Sequence, residues 1–286
     1  MRWRTGTRSG NVEDIRGMSG GRAGGLGIVG IIVVIGLALI LGVDPLTILG
    51  STDLSSVAAP AQQSSLSQEE QDLLADNATL VLGDSEKTWA VIFEDQLGKT
   101  YEEPKLVLFT GSVDSACGYA SAAVGPFYCP GDQKVYLDLD FFSELDKQYG
   151  APGDFAQAYV ITHEIGHHVQ TLLGTSQYVS RKSRQVSETE ANKLSVALEL
   201  QADCYAGVWA NRAQRQDLIL EKGDLEEALN AANAIGDDTL QKEEQGYVVP
   251  DSFTHGTSAE RVRWFRKGMD SGQVSACENP LLPAVT

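Results

Sequence analysis

The sequence predicts an α+β protein: a mostly helical domain with a small β-sheet, preceded by one transmembrane helix. Three observations lead there. A run of 21 uncharged residues, Ala23 to Val43, stands near the start. Short apolar or alternating segments lie in the middle of the chain. From Asp154 onward the pattern is helical, with capping residues at the head of most segments.

Residues 1–22 hold Arg2, Arg4, Arg8, Arg16 and Arg22 against Glu13 and Asp14, a balance of +3. The whole chain of 286 residues carries −17, so the remainder carries −20. Such an acidic body repels phosphate backbones, and no nucleic-acid partner is expected. The apolar run at 23–43 is long enough, at about 1.5 Å per residue, to cross a hydrocarbon core of about 30 Å. With the arginines on its N-terminal side, the positive-inside rule predicts a cytoplasmic segment 1–22, a single crossing at 23–43 and an extracytoplasmic body in the cell membrane. A cleaved signal peptide is the competing reading, but its apolar region is normally only about 7–15 residues. Residues 51–67 are small, polar and poor in large apolar side chains, and 44–67 read as a flexible linker. Residues 68–286 then form the folded domain. Nothing in the pattern specifies an oligomer.

Ser67 with Glu70 is a capping box that opens the first helix of the domain. Asp84 can cap another, running through Trp89 to Phe93. Lys105 to Phe109 (KLVLF) reads as a strand. Val124–Tyr128 and Lys134–Asp140 read as two more, joined by a Cys-Pro-Gly-Asp turn. Asp154 starts a helix that stops at Gly174. Ser187 with Glu190 opens a long helix to about Arg212; Asp224 with Glu227 and Thr257 with Glu260 repeat the signature. An external body permits disulfides. Cys117 and Cys129, 12 apart across the expected hairpin, are the favoured pair, with Cys204 and Cys277 the remainder. Four cysteines allow three pairings, and four unpaired thiols stay open.

His163-Glu164-Ile165-Gly166-His167 carries the chemistry. Histidines four apart on a helix share a face and can bind one ion, and imidazole suits zinc. Glu164, adjacent in sequence, is placed as general base. A solvated histidine pair or a structural zinc are the plainer readings. No HxxGxxH follows, so a third ligand must come from elsewhere. Glu199 and Asp203 are four apart on the next long helix. Glu199 can complete a His₂Glu site, and Asp203 can accept the free ring N–H of a ligand histidine; the alternative is an acidic solvated face. Ala202 and Ala206 on that side would let the two helices pack closely. His168 lies about 100° round the helix from His167 and is expected to pack or hydrogen-bond rather than ligate.

These residues resemble the bacterial neutral zinc metallopeptidases, a single-anchor membrane family. The resemblance includes Met-Arg-Trp-Arg at the start, Asn11-Val12-Glu13-Asp14, Gly125-Pro126-Phe127-Tyr128-Cys129-Pro130 and Val135-Tyr136-Leu137-Asp138-Leu139. It continues through Thr162–Gln170, Glu199–Cys204, Ala234-Ile235-Gly236-Asp237-Asp238 and Thr254–Arg261. Ile15 departs from it, where a basic residue is expected. The family is itself similar to gluzincin peptidases that pair HExxH with a downstream ExxxD helix, and implies a zincin-like domain. Those relatives also have a histidine before an arginine-bearing helix, which His255 and Arg261 resemble. That likeness implies a role for His255 at the substrate carbonyl or oxyanion; a surface loop histidine is the plainer reading.

The resemblance implies a membrane-anchored zinc metallopeptidase acting on a peptide or protein, with Zn²⁺ as cofactor. The strand near Val124–Tyr128 could pair with an extended peptide. Two other functions remain open: an inactive membrane-anchored binding module on a zincin fold, and a zinc amidase acting on cell-wall peptides.

Overall fold

The computed structural model describes residues 6–17, 64–121, 125–217 and 220–285. Helix α1 (Gln68–Ile92) starts at the expected capping box, with Ser67 and Glu70 satisfying each other's backbone N–H groups. It runs on into a π-helical turn, Phe93–Leu97, closed by Gly98 in the left-handed region. The expected helix start at Asp84 does not occur. Asp84 lies within α1, and its carboxylate accepts the indole N–H of Trp209 at 2.7 Å. A capping residue is here spent on a tertiary contact.

The strands are β1 (Val12–Asp14), β2 (Lys105–Phe109), β3 (Ser112–Ser115), β4 (Gly118–Ser121), β5 (Phe127–Cys129) and β6 (Lys134–Asp138). One sheet has the order β1-β2-β6-β5; β1, β2 and β6 are parallel, and β5 is the antiparallel edge. Alternation sorts its two faces. Leu106, Leu108, Val135 and Leu137 enter the main core, while Val107, Phe109 and Tyr136 form a smaller core with Val113, Ala120 and Cys129. The β3–β4 hairpin thus covers the face opposite the helices. The strand expected at Val124–Tyr128 is narrower and runs one residue further, with Val124 outside the described residues. The strand expected to reach Asp140 ends at Asp138. There the Asp138 carboxylate accepts the backbone N–H of Gly111 and Asp140 and turns the chain into α2 (Asp140–Lys147).

The helical half comprises α3 (Asp154–Leu172), α4 (Thr175–Ser183), α5 (Glu188–Asp217), α6 (Asp224–Ala234), α7 (Asp237–Gln245) and α8 (Ser258–Ser271). Capping boxes open α5 and α8 as expected. The box expected at Asp224 is absent: Gly223 is the cap, and Glu227 instead accepts the Phe155 N–H in the first turn of α3. Both expected disulfides are present. Cys117–Cys129 ties the β3–β4 turn to β5, not two strands of one hairpin as expected. Cys204–Cys277 ties α5 to the turn after α8.

Two crossings build the core. Contacts step from His163–Asp203 through His167–Glu199 to Gln170–Leu198, so α3 and α5 run in opposite directions. They meet at Gly166, where a Cβ would stand 2.9 Å from the Ala202 carbonyl oxygen. Helices α5 and α8 run the same way, touching at Asp203–Arg261 and Asn211–Met269. Between these, Gly207 and Gly268 face the other helix's backbone, and a Cβ on Gly268 would lie 1.9 Å from the Cys204 oxygen.

The domain boundaries differ from expectation at the N-terminus. Among the described residues, 6–15 and 64–285 form one compact unit, so β1 joins the sheet of the domain rather than a separate tail. The apolar run at 23–43 lies outside the described residues. Among those described, no helix is long and apolar enough to cross a membrane.

Candidate metal centre

Helix α3 presents His163 and His167 to Glu199 of α5. His163 Nε2 is 3.1 Å from one Glu199 carboxylate oxygen, and His167 Nε2 is 3.4 Å from the other. One ligand atom from each of the three residues lies within 4.8 Å of the others, close enough for one ion to gather them. The far ring nitrogens are occupied. His163 Nδ1 meets Asp203 at 2.8 Å and His167 Nδ1 meets the Gln170 amide oxygen at 2.9 Å. A carboxylate and an amide oxygen can only accept there, which assigns Nδ1–H to both rings and frees both Nε2 lone pairs.

Two lone pairs and a carboxylate pointed at one another repel unless positive charge, a proton or a metal ion, sits between them. The titration of His163 registers the same demand. Burial pulls its pKa down, but Asp203 and Glu199 outweigh burial and hold it at about 10. Glu199 is held well below the carboxylate range: burial opposes ionisation, and the two imidazoles overcome it. The donor set, two imidazole nitrogens and a carboxylate, therefore fits Zn²⁺.

The surroundings fix Asp203. Arg261 of α8 grips it through two hydrogen bonds, Nε to Oδ2 at 2.9 Å and Nη2 to Oδ1 at 3.0 Å. Tyr159 donates to the same carboxylate at 2.5 Å. Despite complete burial, which raises its pKa, Asp203 is lowered by Arg261 and His163. On the other side, Gln170 donates to the Leu198 carbonyl and to Gln201, which donates to the Cys277 carbonyl. The 204–277 disulfide thus lies at the end of a chain that orients His167.

Glu164 is buried beside the triad, and burial raises its pKa against the pull of His167 and His163. A carboxyl raised in this way would suit a general base.

A family described as "Putative neutral zinc metallopeptidase" matches residues 1–279. The chain belongs to that family. Uncharacterized protein YpfJ of Escherichia coli K12 is 47% identical over 283 residues, covering 97% of this chain and 98% of its own length. Uncharacterized protein Mb2605 of Mycobacterium bovis is 38% identical over 256 residues, covering 84% of each. No solved structure matches.

Within this zinc-metallopeptidase family member, His255 stands apart from the triad but close enough to Glu199 to feel its charge. Its Nδ1 is 3.1 Å from Asp237, and its side chain is half exposed. Asp237, at the start of α7, also accepts the backbone N–H of Thr254, His255 and Gly256 and so shapes the loop before α8. That hydrogen bond from the ring raises the His255 pKa against burial. His168 does not ligate. Its Nδ1 is 3.0 Å from the Tyr128 hydroxyl on β5, and its Nε2 is 2.6 Å from the Glu102 carbonyl.

Sequence reasoning did not assign roles to Tyr159, Gln170, Asp237 or Arg261. Gln170 was findable, being three residues beyond His167 on the same helical face. Arg261 sits one residue after the Glu of a capping box, on a helix whose buried side it shares with Phe265. A second acidic group, Asp154, Asp224 and Glu227, comes together at the head of α3. It has no imidazole, and Glu227 caps a backbone N–H there.

Proposed function

We propose that the protein is a zinc-dependent peptidase that hydrolyses peptide bonds, with Glu164 as general base, held at the cell membrane by the apolar run at 23–43. The observation that carries this reading is the convergence of His163, His167 and Glu199 beside the buried Glu164. Zn²⁺ held by those three residues would polarise the scissile carbonyl and acidify water at the open position. The Glu164 carboxylate takes the proton from the attacking water and delivers it to the leaving amine nitrogen. Asp203, clamped by Arg261 and Tyr159, keeps the His163 ring in the ligating orientation. His255, in its cationic form, donates from Nε2 to the carbonyl oxygen as negative charge builds there. The substrate backbone pairs with the open edge of β5, which His168 and Tyr128 fasten to α3. Two disulfides support an extracytoplasmic placement of the domain.

The test compares wild type with Glu164→Gln on casein, a peptide library and peptidoglycan. Cleavage of protein or peptides by wild type, with zinc kept and turnover lost in the variant, is the expected result. Equal activity in both would overturn the role of Glu164. Peptidoglycan as the sole substrate would move the reading to a cell-wall amidase.

A further inference from the structure

We infer that residues 6–15 lie on the same side of the membrane as the metal centre, so that the apolar run at 23–43 does not carry the chain across the bilayer. The inference rests on the membrane attachment proposed above, but its core is a strand.

β1 is hydrogen-bonded to β2 in parallel register, Val12 to Leu106 and Asp14 to Leu108. The pairing is extended by Leu106 N–H to the Asn11 carbonyl and by Ile15 N–H to the Leu108 carbonyl, both at 2.9 Å. Side chains lock the register. Glu13 accepts from Lys105 at 2.9 Å and from Lys134 at 2.7 Å, bridging the next two strands. Asn11 donates to Glu86 and Glu103, and Ser9 donates to Glu86. Gly83 of α1 makes room for this segment, since a Cβ there would stand 2.3 Å from the Thr7 carbonyl oxygen. This is a fitted strand, and the sequence tract Asn11-Val12-Glu13-Asp14 that the peptidase chemistry does not use is spent on it.

A single crossing would put β1 and β2 in different compartments. The backbone groups of β2 that face β1 would then lose their partners. The two ends of the intervening segment also agree. The chain leaves at Ile15, after the C-terminal end of β1. It returns at Ser64 and Ser65, which donate to Asp140, two residues past the C-terminal end of β6. Parallel β1 and β6 flank β2, so exit and return share one end of the sheet, about two strand spacings or ~10 Å apart. Both ends on one side require an even number of crossings. A crossing needs about 20 mostly apolar residues. Residues 16–63 contain one such run; the stretch after it holds Asp44, Pro45, Asp53, Pro60, Gln62 and Gln63. The even number is therefore zero: the run at 23–43 does not take the chain to the other face.

The test uses the full chain in intact spheroplasts, with Thr7→Cys or Asp270→Cys added singly. The four native cysteines are disulfide-bonded and silent towards maleimide. A membrane-impermeant maleimide is expected to label both sites equally without permeabilisation. Labelling of Asp270→Cys with Thr7→Cys protected until permeabilisation would overturn the inference. Protection of both would uphold the shared side and overturn only the extracytoplasmic placement. Release of the chain by carbonate would overturn the membrane attachment on which the inference rests. A second measurement is independent of the membrane and of peptidase activity. Glu13→Lys should lower the Tm of the domain, and Lys105→Glu with Lys134→Glu should restore it; no change in Tm with Glu13→Lys would contradict the strand pairing.

Discussion

Two arginine–aspartate pairs among the described residues have nearly the same geometry and different consequences. Arg261 meets Asp203 through two hydrogen bonds beneath the candidate metal ligands, with both side chains buried. Arg8 meets Asp76 through two hydrogen bonds at the surface, with both nearly half exposed. Water screens the second and not the first. The buried pair holds an ionised carboxylate against the ring of a candidate ligand histidine. The exposed pair mainly helps to steer an N-terminal segment that other contacts already fix.

Predictions that break this comparison can be ranked. The largest effect belongs to the buried site: Glu164→Gln should lower turnover by roughly a hundred- to ten-thousandfold with zinc content unchanged, as steady-state kinetics and metal analysis would show. Arg261→Met strands the Asp203 charge and should cost about 3–5 kcal/mol of stability in denaturant titration. Asp203→Asn should weaken zinc binding by about ten- to a hundredfold in chelator competition. Gly268→Ala forces α8 off α5 and should cost about 1–3 kcal/mol or more in the same titration. Arg8→Ala should leave Tm and activity where they are. A large loss there would erase the contrast.

His255 sharpens the comparison in pH. Its folded pKa lies above the ordinary 6.5, because of the Asp237 hydrogen bond and against burial. A raised histidine contributes stability that is fully present below about 6.5 and lost as pH rises through the folded value. The cationic ring is also the form that can donate from both nitrogens. Activity should therefore fall on the alkaline side as His255 deprotonates. Asp237→Asn should move that limb to lower pH, following the ring titration seen by NMR.

The candidate ligands were legible because they obey short-range rules. Two histidines one turn apart, and Glu199 and Asp203 one turn apart, name their faces without knowledge of the fold. Capping boxes at Ser67, Ser187 and Thr257 are equally local. What was not legible depends on residues far away in sequence. Arg261 lies 58 positions from Asp203, and Lys105 lies 92 from Glu13. Gly207 and Gly268 look like weak helix positions until the facing backbone is known. β1 is three residues with one apolar side chain, too short for alternation to register. Its charged neighbours read as a cytoplasmic flank because the apolar run follows so closely.

The central claim is a zinc centre made by His163, His167 and Glu199. Its most direct measurement is the metal content of the purified full-length protein beside His163→Ala and Glu199→Ala. About one zinc per chain is predicted for wild type, with most of it lost in each variant. A wild type that binds no zinc, or a Glu199→Ala protein that keeps it with unchanged affinity, would contradict the account.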